Sequence, residues 1–132
     1  MLDEVSVKTH QREELLDITS VVREFVNKHT LTDGVITLFV PHTTAAVTIN
    51  ENADPTVKRD IIDKLKREFP QQDGYHHMEG NSDAHIKSSL TGPSLQVIVS
   101  GGSLVLGTWQ SIYFCEYDGP RNRRLYLKAI SG

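Results

Sequence analysis

The sequence predicts a single α+β domain over residues 1–132, with a mixed, largely antiparallel sheet arranged as a sandwich and two to three helices. Three observations carry that expectation. Strand-like and helix-like stretches follow the order β-α-β-β-α-α and then four strands, which lacks the regular alternation of a doubly wound nucleotide-binding fold. Residues 34–40, GVITLFV, are apolar on both faces and predict a central strand. Residues 55–69 carry a helical apolar stripe, Val57, Ile61, Ile62, Leu65 and Phe69, opposite a face that mixes both signs of charge.

In chain order, Leu2, Val5 and Val7 stand among charged residues and suggest an edge strand. Ile18, Val22, Phe25 and Val26 share one face of a helix over residues 20–29, for which Asp17 or Thr19 is the candidate cap. Asp33-Gly34 signals a turn into the central strand, which Pro41 ends. A second strand follows at 45–50. Asp54 and Pro55 then open the striped helix as cap and first-turn proline. Residues 75–92, YHHMEGNSDAHIKSSLTG, form a polar loop leading into a short helix at 84–90, with Ser82 or Asp83 as cap and Gly92-Pro93 as stop. Strands at 94–100, 104–106, 109–117 and 122–130 complete the chain.

Composition narrows the function. The hydrophobic fraction is 38% and the charged fraction 23%, ordinary values for a globular protein rather than a disordered one. A net charge of -3 supplies no basic field for nucleic acid or an anionic membrane, so neither is expected as a partner. No apolar run approaches the ~20 residues of a bilayer span. The N-terminus lacks a signal-peptide pattern, and a cytoplasmic location is expected. A lone cysteine, Cys115, excludes an intrachain disulfide and a cysteine-rich zinc site, and its surroundings suggest a buried structural thiol.

The residues able to carry chemistry are His42, Glu51, His77, Glu79, Asp83, His85 and Glu116. Three of the six histidines fall in the 75–92 loop, where imidazoles and carboxylates together suit a transition metal. If extended geometry survives Pro41, His42 continues the face of Ile36, Leu38 and Val40. Glu116 shares a face with Gln110, Ile112 and Phe114, opposite Trp109, Tyr113 and Tyr117. Either it is held against the core, needing a partner, or its face meets solvent. Arg121, Arg123 and Arg124 crowd one turn, either as an anion site or as surface charge. Neither a Walker-type phosphate loop nor a Gly-x-Ser-x-Gly elbow occurs.

HTTAAVTINENADPTVKRD (42–60), GNSDAHIKSSLTG (80–92) and GGSLVLGTWQSIYFCEYDGPR (101–121) together resemble the YjbQ family, small proteins sometimes labelled secondary thiamine-phosphate synthase. Gly107-Thr108-Trp109-Gln110 is the most recognisable part, and the likeness runs from about Val35 to the C-terminus. The resemblance implies a homotrimer and a divalent metal, zinc by the chemistry of its ligands, held by His42, His77 and His85. Glu51, Asn52, Asp83, Trp109, Gln110, Glu116 and Arg123 match family positions around the same cleft. Catalytic roles are expected for Glu51, Glu116 and Asp83, and ligand contacts for Asn52, Trp109, Gln110 and Arg123, with Arg121 added from the arginine-rich turn. His76 has no counterpart in the family pattern. The implied activity is a weak thiamine-phosphate synthase. Two other readings stand beside it: a zinc-assisted hydrolase of a small, phosphorylated substrate, and a non-catalytic trimeric metal- or ligand-binding module. A chain of 132 residues falls far below the ~200 residues of the barrel used by dedicated synthases.

Overall fold

Period-two burial in the long closing strand sets the architecture. In the computed structural model, which describes residues 1–132, Arg123, Leu125, Leu127 and Ala129 point inward from Asn122–Ser131 while their neighbours point out. Numbered along the chain, the strands are β1 (Leu2–Lys8), β2 (Glu14–Asp17), β3 (Gly34–Phe39), β4 (Ala45–Glu51), β5 (Ser94–Ser100), β6 (Ser103–Leu104), β7 (Gln110–Glu116) and β8 (Asn122–Ser131). The helices are α1 (Thr19–Lys28), α2 (Pro55–Glu68) and α3 (Ser82–Thr91). One sheet has the order β1-β8-β3-β5-β6 and the other β2-β7-β4, with every strand pair antiparallel.

A core of 18 buried residues joins the inner faces of the two sheets, with Val22, Phe25 and Val26 of α1 packed into it. Gly34 has no room for a side chain, since a Cβ would lie 2.3 Å from the Ile130 carbonyl oxygen across the β3–β8 ladder. A second cluster, Leu15, Ala46, Ala84, Tyr113, Cys115 and Tyr117, lies on the far face of the smaller sheet. Ile61, Ile62 and Leu65 of α2 cover it in part. The layers are therefore large sheet, core with α1, small sheet, and α2 with α3.

The α+β sandwich, the central position of β3 and the cap at Asp54 agree with the sequence; the Thr56 N–H donates to Asp54 Oδ1 at 2.9 Å. Several details differ. Residues 14–17 form a strand that periodicity does not reveal, because four residues are too few to show a period and their pairing with β7 is purely tertiary. Helix α1 starts at Thr19 with Ile18 at the cap. The Asp17 carboxylate still accepts the Thr19 N–H at 2.9 Å, while the Thr19 hydroxyl accepts from the Ile112 N–H instead. Helix α3 is longer than 84–90, and Asn81 stands at its cap rather than Ser82 or Asp83. Of the predicted 104–106 segment only Leu104 falls in a paired strand, which runs Ser103–Leu104. No helix is long and apolar enough to cross a membrane.

Candidate functional site

Pro41 ends β3, and the chain then crosses from the large sheet to β4 of the small one. The crossover is pinned by the Val40 N–H donating to the Pro93 carbonyl at 2.8 Å. His42 sits on this bridge, half-buried, rather than continuing the face of β3. Its Nε2 accepts the backbone N–H of Arg124 at 2.9 Å. A neutral imidazole accepting at Nε2 carries its proton on Nδ1, so the bond selects one tautomer. Burial, reinforced by the charges of Arg123 and Arg124, holds the His42 pKa below the ordinary histidine value. His42 is therefore a neutral hydrogen-bond donor at neutral pH.

The cleft beside it, about 630 Å³, is lined by residues from four places in the chain. The crossover gives His42 and Thr44, the loop before α3 gives Glu79 and Asn81, α3 gives His85, and the β7–β8 turn gives Asp118 and Arg121, with Arg123 at the start of β8. Asp118 organises one wall: its Oδ2 accepts from Asn81 Nδ2 at 2.8 Å and from Arg121 Nη2 at 3.0 Å. Asn81 Oδ1 is enclosed without a hydrogen-bond partner.

Beneath the cleft the alternatives for Glu116 are resolved by a feature that strand phase does not foresee: both faces of β7 are buried, from Ser111 to Tyr117. Glu116 has no solvent exposure. It accepts from Arg123 Nε at 2.9 Å, the Thr9 hydroxyl at 2.7 Å and the Asp118 N–H at 3.0 Å. Burial alone would raise its pKa, but those hydrogen bonds and the arginine charge outweigh it and hold the carboxylate below its ordinary value. Arg123 is likewise committed, donating to Thr44 Oγ1 at 2.8 Å. Gly119 allows the closeness; a Cβ there would lie 2.7 Å from Glu116 Cγ. The pair thus forms the floor, with Arg123 at its edge.

The other expected residues are distributed more widely. His77 and His85 meet edge to face with ring centroids 5.5 Å apart, and His77 Nε2 lies 3.6 Å from Glu79 Oε2. His77 lines a separate hollow with Tyr75 and His76, and His85 stands between that hollow and the His42 cleft. No group of three or more His, Cys, Asp or Glu side chains gathers in metal-holding geometry, and the His42 Nε2 lone pair is already engaged. Asp83 is buried and bonded to Lys87 at 2.7 Å and to Arg12 at 3.1 Å. Burial would raise its pKa, and those two cations hold it down. Lys87, itself buried, also bonds Glu13. Composition hides this cluster; the Asp83/Lys87 spacing of four on α3 is its one local signal.

Glu51, Asn52, Trp109 and Gln110 lie at the opposite end of the small sheet. In the β4–β7 ladder Ala45 pairs with Glu116 and Glu51 with Gln110, so about 20 Å of strand separates the two groups. The chain does not bring them to the His42 cleft.

Fold and cleft together define a class: a two-sheet α+β domain with a histidine- and arginine-lined cleft over one end of its smaller sheet. The chain belongs to the UPF0047 YjbQ-like family, whose model matches residues 3–132. It is 50% identical over 131 residues to the UPF0047 protein YugU of Bacillus subtilis, covering 98% of this chain and 99% of that one. A UPF0047 protein of Methanocaldococcus jannaschii is 52% identical over 130 residues, covering 98% and 94%. Among solved structures, an uncharacterized YjbQ/UPF0047 protein of Clostridium acetobutylicum superposes with a TM-score of 0.95 at 52% identity, over 97% of this chain and 99% of that one. A hypothetical protein of Aeropyrum pernix gives 0.94 at 36% identity, over 100% and 99%.

Proposed function

We propose that the chain is a small cytoplasmic enzyme that binds a compact phosphorylated substrate in the His42 cleft and moves a proton on it. The observation that supports this best is His42, kept neutral and fixed in one tautomer by the Arg124 N–H, with Nδ1–H free to donate to a substrate oxygen. Arg121 is the cation best placed for an anionic group: it lines the cleft, is exposed, and keeps Nη1 free of its bonds to Asp118, whereas Arg123 is buried in its bonds to Glu116 and Thr44. One arginine suits a single phosphate better than the departing pyrophosphate of thiamine-phosphate synthesis. Hydrolysis of a small phosphomonoester is therefore the main activity in this reading, and synthase turnover a weak secondary one.

A divalent ion of the zinc class enters the reading at His77 and His85. Two imidazoles beside Glu79 have the right donor chemistry, whereas His42 cannot join them while it accepts from Arg124. Bound there, such an ion would polarise a substrate oxygen or acidify a water. Association into a homotrimer is supported by an uncovered apolar row on the large sheet. Ile130, Val35, Ile98 and Val105 adjoin across neighbouring strands, and Ile98 and Ile130 are 59% and 67% exposed.

Steady-state assays with phosphomonoesters and with the two synthase substrates test the reading. His42→Gln is expected to lower turnover roughly a hundredfold or more while leaving the fold intact. Arg121→Ala is expected to raise KM more than it lowers kcat. Unchanged turnover in His42→Gln would remove His42 from the chemistry and leave a ligand-binding module. Metal analysis of untagged protein is expected to find an ion that His85→Ala loses.

A further inference from the structure

We infer that the far end of the small sheet carries a second, independent ligand site, a cleft around Trp109 that takes a flat, amino-substituted heteroaromatic ring bearing an anionic group, as a nucleotide does. The cleft is about 580 Å³, within the roughly 300–1,000 Å³ range of small-ligand sites. Its chemistry lies in Asp17, Ser20, Arg23, Asn52, Thr108 and Trp109.

The indole is 62% exposed and belongs to neither hydrophobic cluster, so packing does not account for it. Yet its backbone is held firmly. The Trp109 carbonyl accepts the Asn52 N–H at 2.8 Å, and the Gln110 N–H donates to the Gly107 carbonyl at 3.0 Å. The Gln110 side chain closes the same turn by accepting the Gly107 N–H at 2.7 Å. A rigid turn presenting an open aromatic face is a prebuilt stacking platform.

Polar groups around the platform are oriented and incompletely used. The Tyr113 hydroxyl lies 3.0 Å from the Glu51 carbonyl and 3.1 Å from Asn52 Oδ1 and shares its one proton between them, which anchors the Asn52 amide beside the cleft. Asp17 spends Oδ1 on the Thr19 N–H and keeps Oδ2 to accept from an exocyclic amine. Arg23 takes no part in the ion pairs that occupy Arg12, Arg121 and Arg123. Its planar guanidinium suits bidentate capture of a phosphate or carboxylate. A cleft that holds an exposed indole, a carboxylate oxygen without a partner and an arginine outside any ion pair matches a ligand that is both an amino-heterocycle and an anion.

Trp109 is the sole tryptophan, so tryptophan emission, excited selectively over the tyrosines, reports on this cleft. The full-length protein is titrated with AMP, adenosine and inorganic phosphate. Saturable quenching by AMP is expected, with weaker binding of adenosine and no response to phosphate. Arg23→Gln should remove the preference of AMP over adenosine, and Asp17→Asn should weaken both. Calorimetry with Trp109→Ala should show AMP affinity reduced on the order of ten- to a hundredfold. The His42→Gln and Arg121→Ala proteins should bind AMP as the native chain does, so the inference stands or falls apart from the reading of the other cleft. Absence of saturable quenching, its loss in His42→Gln, or emission that changes with protein concentration in step with self-association would overturn it.

Discussion

The two faces of the small sheet are held in opposite ways. Its inner face, with Ala45, Val47, Ile112 and Phe114, disappears into an apolar core shared with the large sheet and α1. Its outer face is covered by two helices that bury little. Helix α2 has no fully buried residue, and α3 buries Asp83, Ala84, Lys87 and Ser88, of which one is apolar. Directional bonds hold α3 in place of apolar contact: Asp83 and Lys87 to Arg12 and Glu13, Ser88 Oγ to the Thr43 carbonyl, Asn81 to Asp118, and Thr91 to Tyr117. An apolar contact tolerates sliding, whereas a charged hydrogen-bond network specifies position. The face that carries His85 is the face built from position-specific contacts.

The largest effects should come from the inner face and from the cleft floor. Phe114→Ala is expected to cost about 3–5 kcal/mol in urea unfolding, through lost burial and an unfilled cavity. Glu116→Gln should cost a similar ~3–5 kcal/mol despite its near-identical shape, because it leaves the Arg123 guanidinium buried without a counter-charge. A cost below about 1 kcal/mol for Glu116→Gln would show that water reaches the pair and would reopen it to a catalytic role.

That contrast also explains what the sequence made legible. The inner face follows from local pattern: the apolar run of β3 and the 3.6-residue stripe of α1 mark the elements that build the core. The cap at Asp54 and the strand end at Pro41 are equally local. The outer layer is tertiary. Arg12, Glu13, Asp83 and Lys87 come from two distant segments, and no local rule marks the first two as partners of the last two. Glu116 shows the same limit, because choosing between the two faces of β7 presumes that one meets solvent, while α2 and α3 bury the second. For the cleft, His42, His85, Arg121 and Arg123 were legible by residue type, whereas Asn81 and the Arg124 N–H act through positions that only the fold supplies. The separation of Trp109 from His42 required the β4–β7 register.

Acid separates the two faces by a smaller margin. Asp83 and Glu116 both titrate below the ordinary carboxylate range in the folded chain. Their stabilisation is complete above the unfolded carboxylate pKa of about 4 and is lost as pH falls through the depressed values. Below that range hydrogen exchange should rise first in α3, whose attachment depends on Asp83. The β3–β8 ladder should stay protected until the Glu116 pair fails. Simultaneous loss in both would mean that the outer layer and the core unfold as one unit.

The smallest effect tests a single bond of the outer layer. The Tyr117 and Thr91 hydroxyls lie 2.6 Å apart, joining the end of β7 to the last residue of α3. Tyr117→Phe removes that bond but leaves no orphan, since Thr91 Oγ1 still donates to the Lys87 carbonyl at 2.9 Å. The expected cost is about 0.5–1.5 kcal/mol, at the low end for want of an unsatisfied group. Cys115 offers a sensitive readout: it is fully buried in the same cluster as Tyr117 and Ala84, and burial pushes its thiol pKa up to about 12. The native thiol should resist alkylation and react only when the layer opens. If α3 opens independently of the core, the bond appears undiminished in the opening equilibrium, and labelling should quicken by roughly two- to tenfold. If Cys115 labels no faster while global stability falls, α3 separates only when the whole chain unfolds, and the two faces are held differently but released together.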